Sequence, residues 1–439
     1  MKQAGGMDGH GCDASQGPHC EKEVRDLVLS FLARAEELKA AADLRNTPLY
    51  LFDPASLSAS CRAFVGAFEE RLPGFEAFFA MKCNNHPWMA AGVVAAGLGL
   101  DVSSGLELEN ALAAGCRRIL FSGPGKTDDE LGLALENRDA VTILLDSPGE
   151  LDRLAGIVSF SGAPVRTGVR ITTQEEGLWR KFGVGLAELE TFMKKAARIP
   201  HVLLRGVQFH TSWNLTPDAH TGFIARLGLV LRNLDRGLTR DLEFIDIGGG
   251  YWPEEGEWLL DTESLSPGFL PGRRIVPAAP IDDFAREIAR SLRENIFPVC
   301  PLTVYAEPGR WIANSAMHIL LRVVDVKSRD IVIADAGTNI VGWERYESDY
   351  VPVINLSRPS AVERPCLIAG SLCTPHDVWG WSYFGDGIEP GDLLLLPNQG
   401  AYTWSLRQQF IKPTAEMVRL RQSRADSITW FSEAIRPGS

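Results

Sequence analysis

The chain is predicted to be an α/β protein, a (β/α)8 barrel joined to a second, antiparallel β domain. Its 439 residues exceed one ordinary compact domain but suit a barrel of about 250 residues plus a smaller unit. From Ala77 to Ala306, short apolar runs alternate with helix-like segments, the grammar of parallel strands linked by crossover helices. Beyond about Ala313, β-branched runs alternate instead with Gly/Pro turns, as in an antiparallel sheet.

Taken in order, residues 1–20 are rich in Gly, His and polar residues and read as a disordered tail; they lack the apolar core of a signal peptide. His10, Cys12, His19 and Cys20 could ligate a metal, but no metal site is expected there. From Glu21 to Ala42, Val24, Leu27, Val28, Phe31, Ala35 and Leu38 recur at three- and four-residue steps, which predicts one amphipathic helix. With the buried strand Leu49–Phe52 it makes up residues 21–53, an arm joining the β domain. Strands are then expected at Ala77–Ala80, Leu100–Ser103, Ile119–Ser122, Val141–Asp146, Val165–Ile171, Leu203–His210, Phe244–Ile247 and Thr303–Ala306. Helices at Leu106–Ala114, Leu186–Ala197, Phe223–Leu234 and Ile281–Glu294 fall between them. About eight such units imply closure into a barrel over residues 54–312, with an open doubly wound sheet as the alternative. Ile319–Val326, Ile331–Ala334 and Leu393–Leu396 mark strands of the β domain, residues 313–439.

The net charge of −12 argues against a nucleic-acid or anionic-membrane surface, which needs basic patches. No apolar run reaches membrane-spanning length. Eight cysteines without a Cys-x-x-Cys pair suit reduced thiols, so a cytoplasmic protein is expected.

Polar clusters follow the strands: Lys82-Cys83-Asn84, Ser103-Ser104-Gly105, His210-Thr211-Ser212, Gly248-Gly249-Gly250 and Glu307-Pro308-Gly309-Arg310. In a parallel barrel the C-terminal strand ends share one face, so these distant residues converge. Together they offer what pyridoxal 5′-phosphate (PLP) requires: an amine for its aldehyde, a carboxylate for its ring nitrogen and backbone donors for its phosphate. Lys82 ends the apolar strand Phe78-Phe79-Ala80-Met81, where desolvation is expected to lower its pKa towards a nucleophilic amine. Three glycines let backbone N–H groups approach a phosphate closely.

The blocks Ala80-Met81-Lys82-Cys83-Asn84, Gly206-Val207-Gln208-Phe209-His210, Asp246 to Gly250, Ala306 to Arg310, Cys373 to Asp377 and Gly400-Ala401-Tyr402-Thr403 stand in the order found in one family. From about Pro48 to Pro413 the chain resembles the PLP-dependent decarboxylases of the alanine-racemase-like fold, which include ornithine, arginine and diaminopimelate decarboxylases. The resemblance implies that Lys82 carries PLP as a Schiff base, His210 stacks on the pyridine and Glu307 pairs with its nitrogen. It gives the phosphate to Gly248, Gly249, Gly250, Gly309, Arg310 and Tyr402, and places Asp101 and Glu107 near Lys82 and Arg170 near the ring hydroxyl. Cys373 would reach the site across a homodimer interface and return a proton to Cα, which a thiol of ordinary pKa about 8.5 can do. Tyr346, Glu347, Thr374 and Asp377 would join it around the substrate.

Two departures stand out. Relatives often have Gly-Ser where this chain has Ser212-Trp213, so Ser212 would take over the phosphate contact. Many carry an acidic residue where Thr374 stands, and diaminopimelate decarboxylases have an Arg-Pro pair that is missing between Asp335 and Glu347. A buried distal carboxylate would lack its partner, which points away from diaminopimelate and towards a basic or amine-bearing amino acid. Trp343, Trp379, Trp381 and Tyr383 would serve either as substrate surface or as core. The alternatives are an amino acid racemase on the same barrel, which Glu307 disfavours, and a non-catalytic regulator, which the presence of Lys82 and Cys373 disfavours.

Overall fold

The computed structural model describes residues 17–342 and 348–420. His10, Cys12, Tyr346 and Glu347 therefore lie outside the described residues. The N-terminal helix starts earlier than expected and is broken in two, α1 (Gly17–Leu32) and α2 (Ala35–Leu44). Pro18 sits in the first turn of α1, where its missing N–H costs nothing. The break falls where Arg34 turns to pair with buried Asp53 at 2.8 Å. The periodic face, from Val24 to Leu38, packs on Leu49, Leu51, Leu320 and Leu395.

β1 (Leu49–Phe52) leads into the barrel strands β2 (Glu76–Ala80), β3 (Gly99–Val102), β4 (Ile119–Phe121), β5 (Val141–Leu145), β6 (Val165–Ile171), β7 (Val202–Phe209) and β8 (Phe244–Asp246). After a hairpin of β9 (Glu257–Leu260) and β10 (Arg273–Val276), β11 (Thr303–Ala306) closes the parallel barrel between β8 and β2. Such strands are buried on both faces, which is why they read as continuous apolar runs. The lumen is filled by Phe78, Leu120, Leu144, Phe244 and Tyr305. Gly206 makes room for them, since a Cβ there would stand 2.2 Å from the Phe244 ring. The packed lumen forms a floor beneath the C-terminal strand ends.

The second unit is a sheet of β12 (Met317–Ser328), β13 (Ile331–Ala334), β14 (Ile354–Asn355), β15 (Glu363–Ala369), β16 (Val378–Phe384), β17 (Leu393–Leu396) and β18 (Glu416–Arg419). β1 runs within it, between β12 and β18. The sheet is mostly antiparallel rather than purely so, because β1–β18, β13–β15 and β14–β16 run parallel. No described helix is long and apolar enough to cross a membrane.

Hydrogen bonds dock this unit onto the end of β2. Asn84 Nδ2 donates to the Gly400 carbonyl at 2.9 Å, the Tyr402 N–H to the Cys83 carbonyl at 2.7 Å, and the Asn85 N–H to Ser405 Oγ at 3.1 Å. Gly400 is required here, because a Cβ would lie 1.7 Å from the Ala313 carbonyl oxygen.

The ion pair of Lys126 and Glu150 is wholly interior. Lys126 Nζ meets Glu150 Oε1 at 2.8 Å and also donates to the Gly123 and Leu144 carbonyls at 2.7 and 2.8 Å. Burial pushes the Lys126 pKa down and the Glu150 pKa up, so each ion depends on the other. Lys126→Met should therefore destabilise the protein by about 3–5 kcal/mol, read from the shift of its denaturant midpoint. The Lys126→Met/Glu150→Leu double variant should recover most of the loss, because it strands neither charge.

Candidate active site

Lys82 lies in a single 3-10 turn, Met81–Cys83, directly after β2. Its side chain is 37% exposed and opens into a cleft shared with His210, Ser212, Glu307, Arg310 and Tyr402. Gly250 and Gly309 also line that cleft, so strand ends from both sides of the barrel meet the β domain there. A larger cavity, about 410 Å³, adjoins it across Arg310 and Tyr402 and runs along the β domain. The chemistry belongs to the smaller cleft, which holds Lys82.

Lys82 Nζ is 3.5 Å from Asp101 Oδ2, and Ser122 Oγ donates to Asp101 Oδ1 at 2.6 Å. Burial alone would lower the Lys82 pKa, but the carboxylates of Asp101 and Glu307 outweigh it and raise the pKa. This corrects the expectation of a desolvated, depressed amine: the neighbours hold Lys82 as an ammonium. For Asp101 the balance falls the other way. Burial, then repulsion from Glu307, push its carboxyl up to about 7 against the pull of Lys82 and Ser122. Glu107 is buried and braces the backbone, accepting the Ser103 N–H at 2.8 Å, while remaining near enough to feel the Lys82 charge.

Glu307 is 2% exposed. Burial would raise its pKa, but the hydrogen bond to His210 and the charge of Lys82 overcome this and hold it down at about 2. Gln208 Nε2 donates to its Oε1 at 3.2 Å, and His210 Nδ1 stands 3.3 Å from its Oε2. Gln208 and His210 are two residues apart, so side chains leaving β7 on one face reach the same carboxylate. Burial lowers the His210 pKa, which leaves a neutral imidazole. Arg170 is buried, with its guanidinium 4.5 Å from the Phe182 ring centroid and its Nε 4.0 Å from Asp146 Oδ1.

The glycine triplet divides its tasks, which narrows the expectation that all three glycines serve a phosphate. The Gly248 N–H donates to Asp246 Oδ1 at 2.9 Å, fixing the turn. The Gly249 N–H faces His210 Nδ1 at 3.2 Å, a nitrogen that cannot both accept this N–H and donate to Glu307. Gly250 carries no such commitment. All three positions exclude a side chain, since Cβ atoms would stand 2.3 Å from the carbonyl oxygens of Phe209, Glu307 and Thr211. Gly309 is packed less tightly, with its Cβ position 3.1 Å from that of Cys83.

Cys373 is exposed and, with Thr374 and Asp377, does not line the cleft of its own chain. Asp377 also departs from its expected substrate role. Its Oδ1 accepts the Thr338 N–H at 2.7 Å and its Oδ2 the Leu372 N–H at 2.6 Å, so its carboxylate shapes the loop that carries Cys373. Trp379 and Tyr383 belong to the β-domain core. Sequence reading missed Ser122 and Gln208, although both sit at strand ends beside residues it identified.

The cleft fits PLP on its own terms. It joins an amine, an ionised carboxylate 2% exposed, a flat neutral imidazole and a glycine turn beside an arginine. A family model described as the pyridoxal-dependent decarboxylase, pyridoxal binding domain, matches residues 58–314. The diaminopimelate decarboxylase of Methanothermobacter thermautotrophicus is 28% identical over 439 residues, spanning 94% of this chain and 96% of that protein. Among solved structures, the Helicobacter pylori diaminopimelate decarboxylase complexed with L-lysine shares the fold with a TM-score of 0.73 at 24% identity, covering 88% of this chain and 94% of that one. The Vibrio vulnificus lysine/ornithine decarboxylase complexed with putrescine does so with a TM-score of 0.69 at 21% identity, covering 88% and 98%. The match over the barrel, together with the amine and carboxylate at its strand ends, shows that this chain belongs to the pyridoxal-dependent decarboxylase family and is a PLP-dependent amino acid decarboxylase.

Proposed function

We propose that the enzyme removes the α-carboxylate of a basic or amine-bearing amino acid, as a cytoplasmic homodimer in which Cys373 of the partner subunit completes each site. The observation that carries the substrate reading is the stretch from Asp335 to Glu347, which has no Arg-Pro pair to receive a distal carboxylate but ends in an acid. The relatives support it, in that similar proteins are named for amino acids with a second amino group.

When bound, PLP would supply an aldehyde that condenses with an amine and a pyridinium that draws in the electron pair left on Cα as CO2 departs. Lys82 must lose a proton before it can bind that aldehyde. Asp101, 3.5 Å away with its carboxyl near neutrality, is placed to take the proton and return it. Glu307, fixed by Gln208 and His210, offers a full negative charge to a ring nitrogen and keeps that nitrogen protonated. His210 would offer a neutral ring face for stacking, and Arg170, buried against Phe182 and Asp146, would act on the ring hydroxyl. Gly250, Ser212, Arg310 and Tyr402, which line one cleft, would hold the phosphate. The partner subunit's Cys373 delivers a proton to Cα, from a loop braced by Asp377.

Borohydride reduction of the purified protein followed by peptide mapping should place the phosphopyridoxyl label on Lys82. A label on another lysine contradicts the assignment. Glu307→Gln should lower kcat on the order of 10²- to 10³-fold, while PLP affinity changes far less because the phosphate contacts remain. Unchanged turnover would show that Glu307 does not face the ring nitrogen. Steady-state assays on ornithine, lysine, arginine, diaminopimelate and a neutral aromatic amino acid should favour one of the first three. Preference for diaminopimelate refutes the argument from the missing Arg-Pro pair, and preference for the aromatic amino acid removes the role of Glu347.

A further inference from the structure

Trp213 combines two features that local stability does not explain. Its φ is +58°, in the left-handed region, where a bulky aromatic residue is strained unless its surroundings hold it. Its side chain gains little in return from burial, since the residue remains 49% exposed.

The neighbours enforce this backbone. The Asn214 N–H donates to the Gly250 carbonyl at 2.9 Å, and the Trp252 N–H to the Asn214 carbonyl at 3.2 Å. Asn214 Nδ2 donates to Thr211 Oγ1 at 2.8 Å. The result is an indole stacked along Trp252, with ring centroids 6.1 Å apart and planes inclined by 24°. Arg310 lies against both. Its guanidinium carbon is 5.8 Å from the Trp213 ring centroid, 4.6 Å from that of Trp252 and 4.9 Å from that of Tyr402. All four side chains line the cleft that contains Lys82, Ser212 and Gly250.

We propose that Trp213 is a positioning residue for phosphate recognition: with Trp252 and Tyr402 it cages Arg310, fixing the guanidinium plane so that its N–H fork meets the phosphate monoester of the cofactor. The proposal rests on the assignment of Arg310 to the phosphate. An arginine side chain has several rotors, and aromatic faces that restrict them reduce the ordering needed on binding. The half-exposed indole also screens the charge pair from water, which strengthens a charge-assisted contact. The strained loop thus serves ligand binding rather than folding.

The test compares PLP with pyridoxal, which lacks the phosphate, as ligands of the full-length protein stripped of cofactor. Trp213→Asn is the main variant, because asparagine tolerates the left-handed backbone but has no aromatic ring. It should weaken PLP about tenfold and leave pyridoxal unchanged, whereas Trp213→Phe should stay near wild type. Unchanged PLP affinity, or equal weakening of both ligands, overturns the proposal. Arg310→Ala separates it from the reading beneath it. If Arg310→Ala leaves the preference for PLP over pyridoxal intact, the phosphate assignment fails and the proposal with it. If Arg310→Ala abolishes the preference while Trp213→Asn does nothing, only the role of Trp213 fails. In the Arg310→Ala background, Trp213→Asn should cost no further PLP affinity, since its effect passes through the guanidinium. A second tenfold loss there would show that it acts some other way.

Discussion

Glu307 is a buried carboxylate that stays charged, and the arrangement of the cleft depends on that charge. Three carboxyl groups, Asp101, Asp246 and Glu307, are buried close enough to shift one another. Like charges at such range cannot all ionise cheaply. Burial and the Glu307 charge push Asp246 well above the ordinary carboxylate range, and Asp101 rises as well. Glu307 alone is driven down, because the hydrogen bond with His210 and the charge of Lys82 converge on it. Glu307 thus supplies the fixed negative charge that a pyridinium needs, while Lys82, an ammonium at rest, gives up its proton before it forms an imine. A neutral acid in place of Glu307 would leave the same pocket without an electron sink.

The β domain takes part in this electrostatics through the turn it touches. Asn84, Cys83 and Asn85, which follow Lys82, are the residues hydrogen-bonded to Gly400, Tyr402 and Ser405. The docking that places Tyr402 over the cleft therefore also fixes the Lys82 turn, and neither unit presents the cleft alone. Within the β domain, Asp377 spends both carboxylate oxygens on backbone N–H groups and so shapes the loop from which Cys373 projects. An acid that organises a loop and an acid that binds substrate look alike in sequence.

Much of this was legible in the chain because barrel strands are buried on both faces and end in polar clusters at one rim. The apolar runs located β2 to β8 and β11, and the residues after them located Lys82, His210, Glu307 and Arg310. The sign of the Lys82 shift was not legible, since it depends on Asp101 and Glu307, which approach only when the barrel closes. Nor was the break between α1 and α2, because the apolar period runs in phase across it and only the tertiary partner Asp53 marks the turn. The β9–β10 hairpin escaped for a different reason: its eight residues are mostly half-buried and carry no clear alternation. The division of labour within Gly248, Gly249 and Gly250 required knowing where Asp246 and His210 point.

An ionised Glu307 should keep the ring nitrogen of the cofactor protonated. The most direct measurement is the ¹⁵N NMR shift of the holoenzyme reconstituted with PLP labelled at the pyridine nitrogen. A pyridinium signal should persist through neutral pH in the wild-type protein and move to the neutral pyridine range in Glu307→Gln. A neutral pyridine in the wild-type enzyme, or a pyridinium untouched by the substitution, would contradict it.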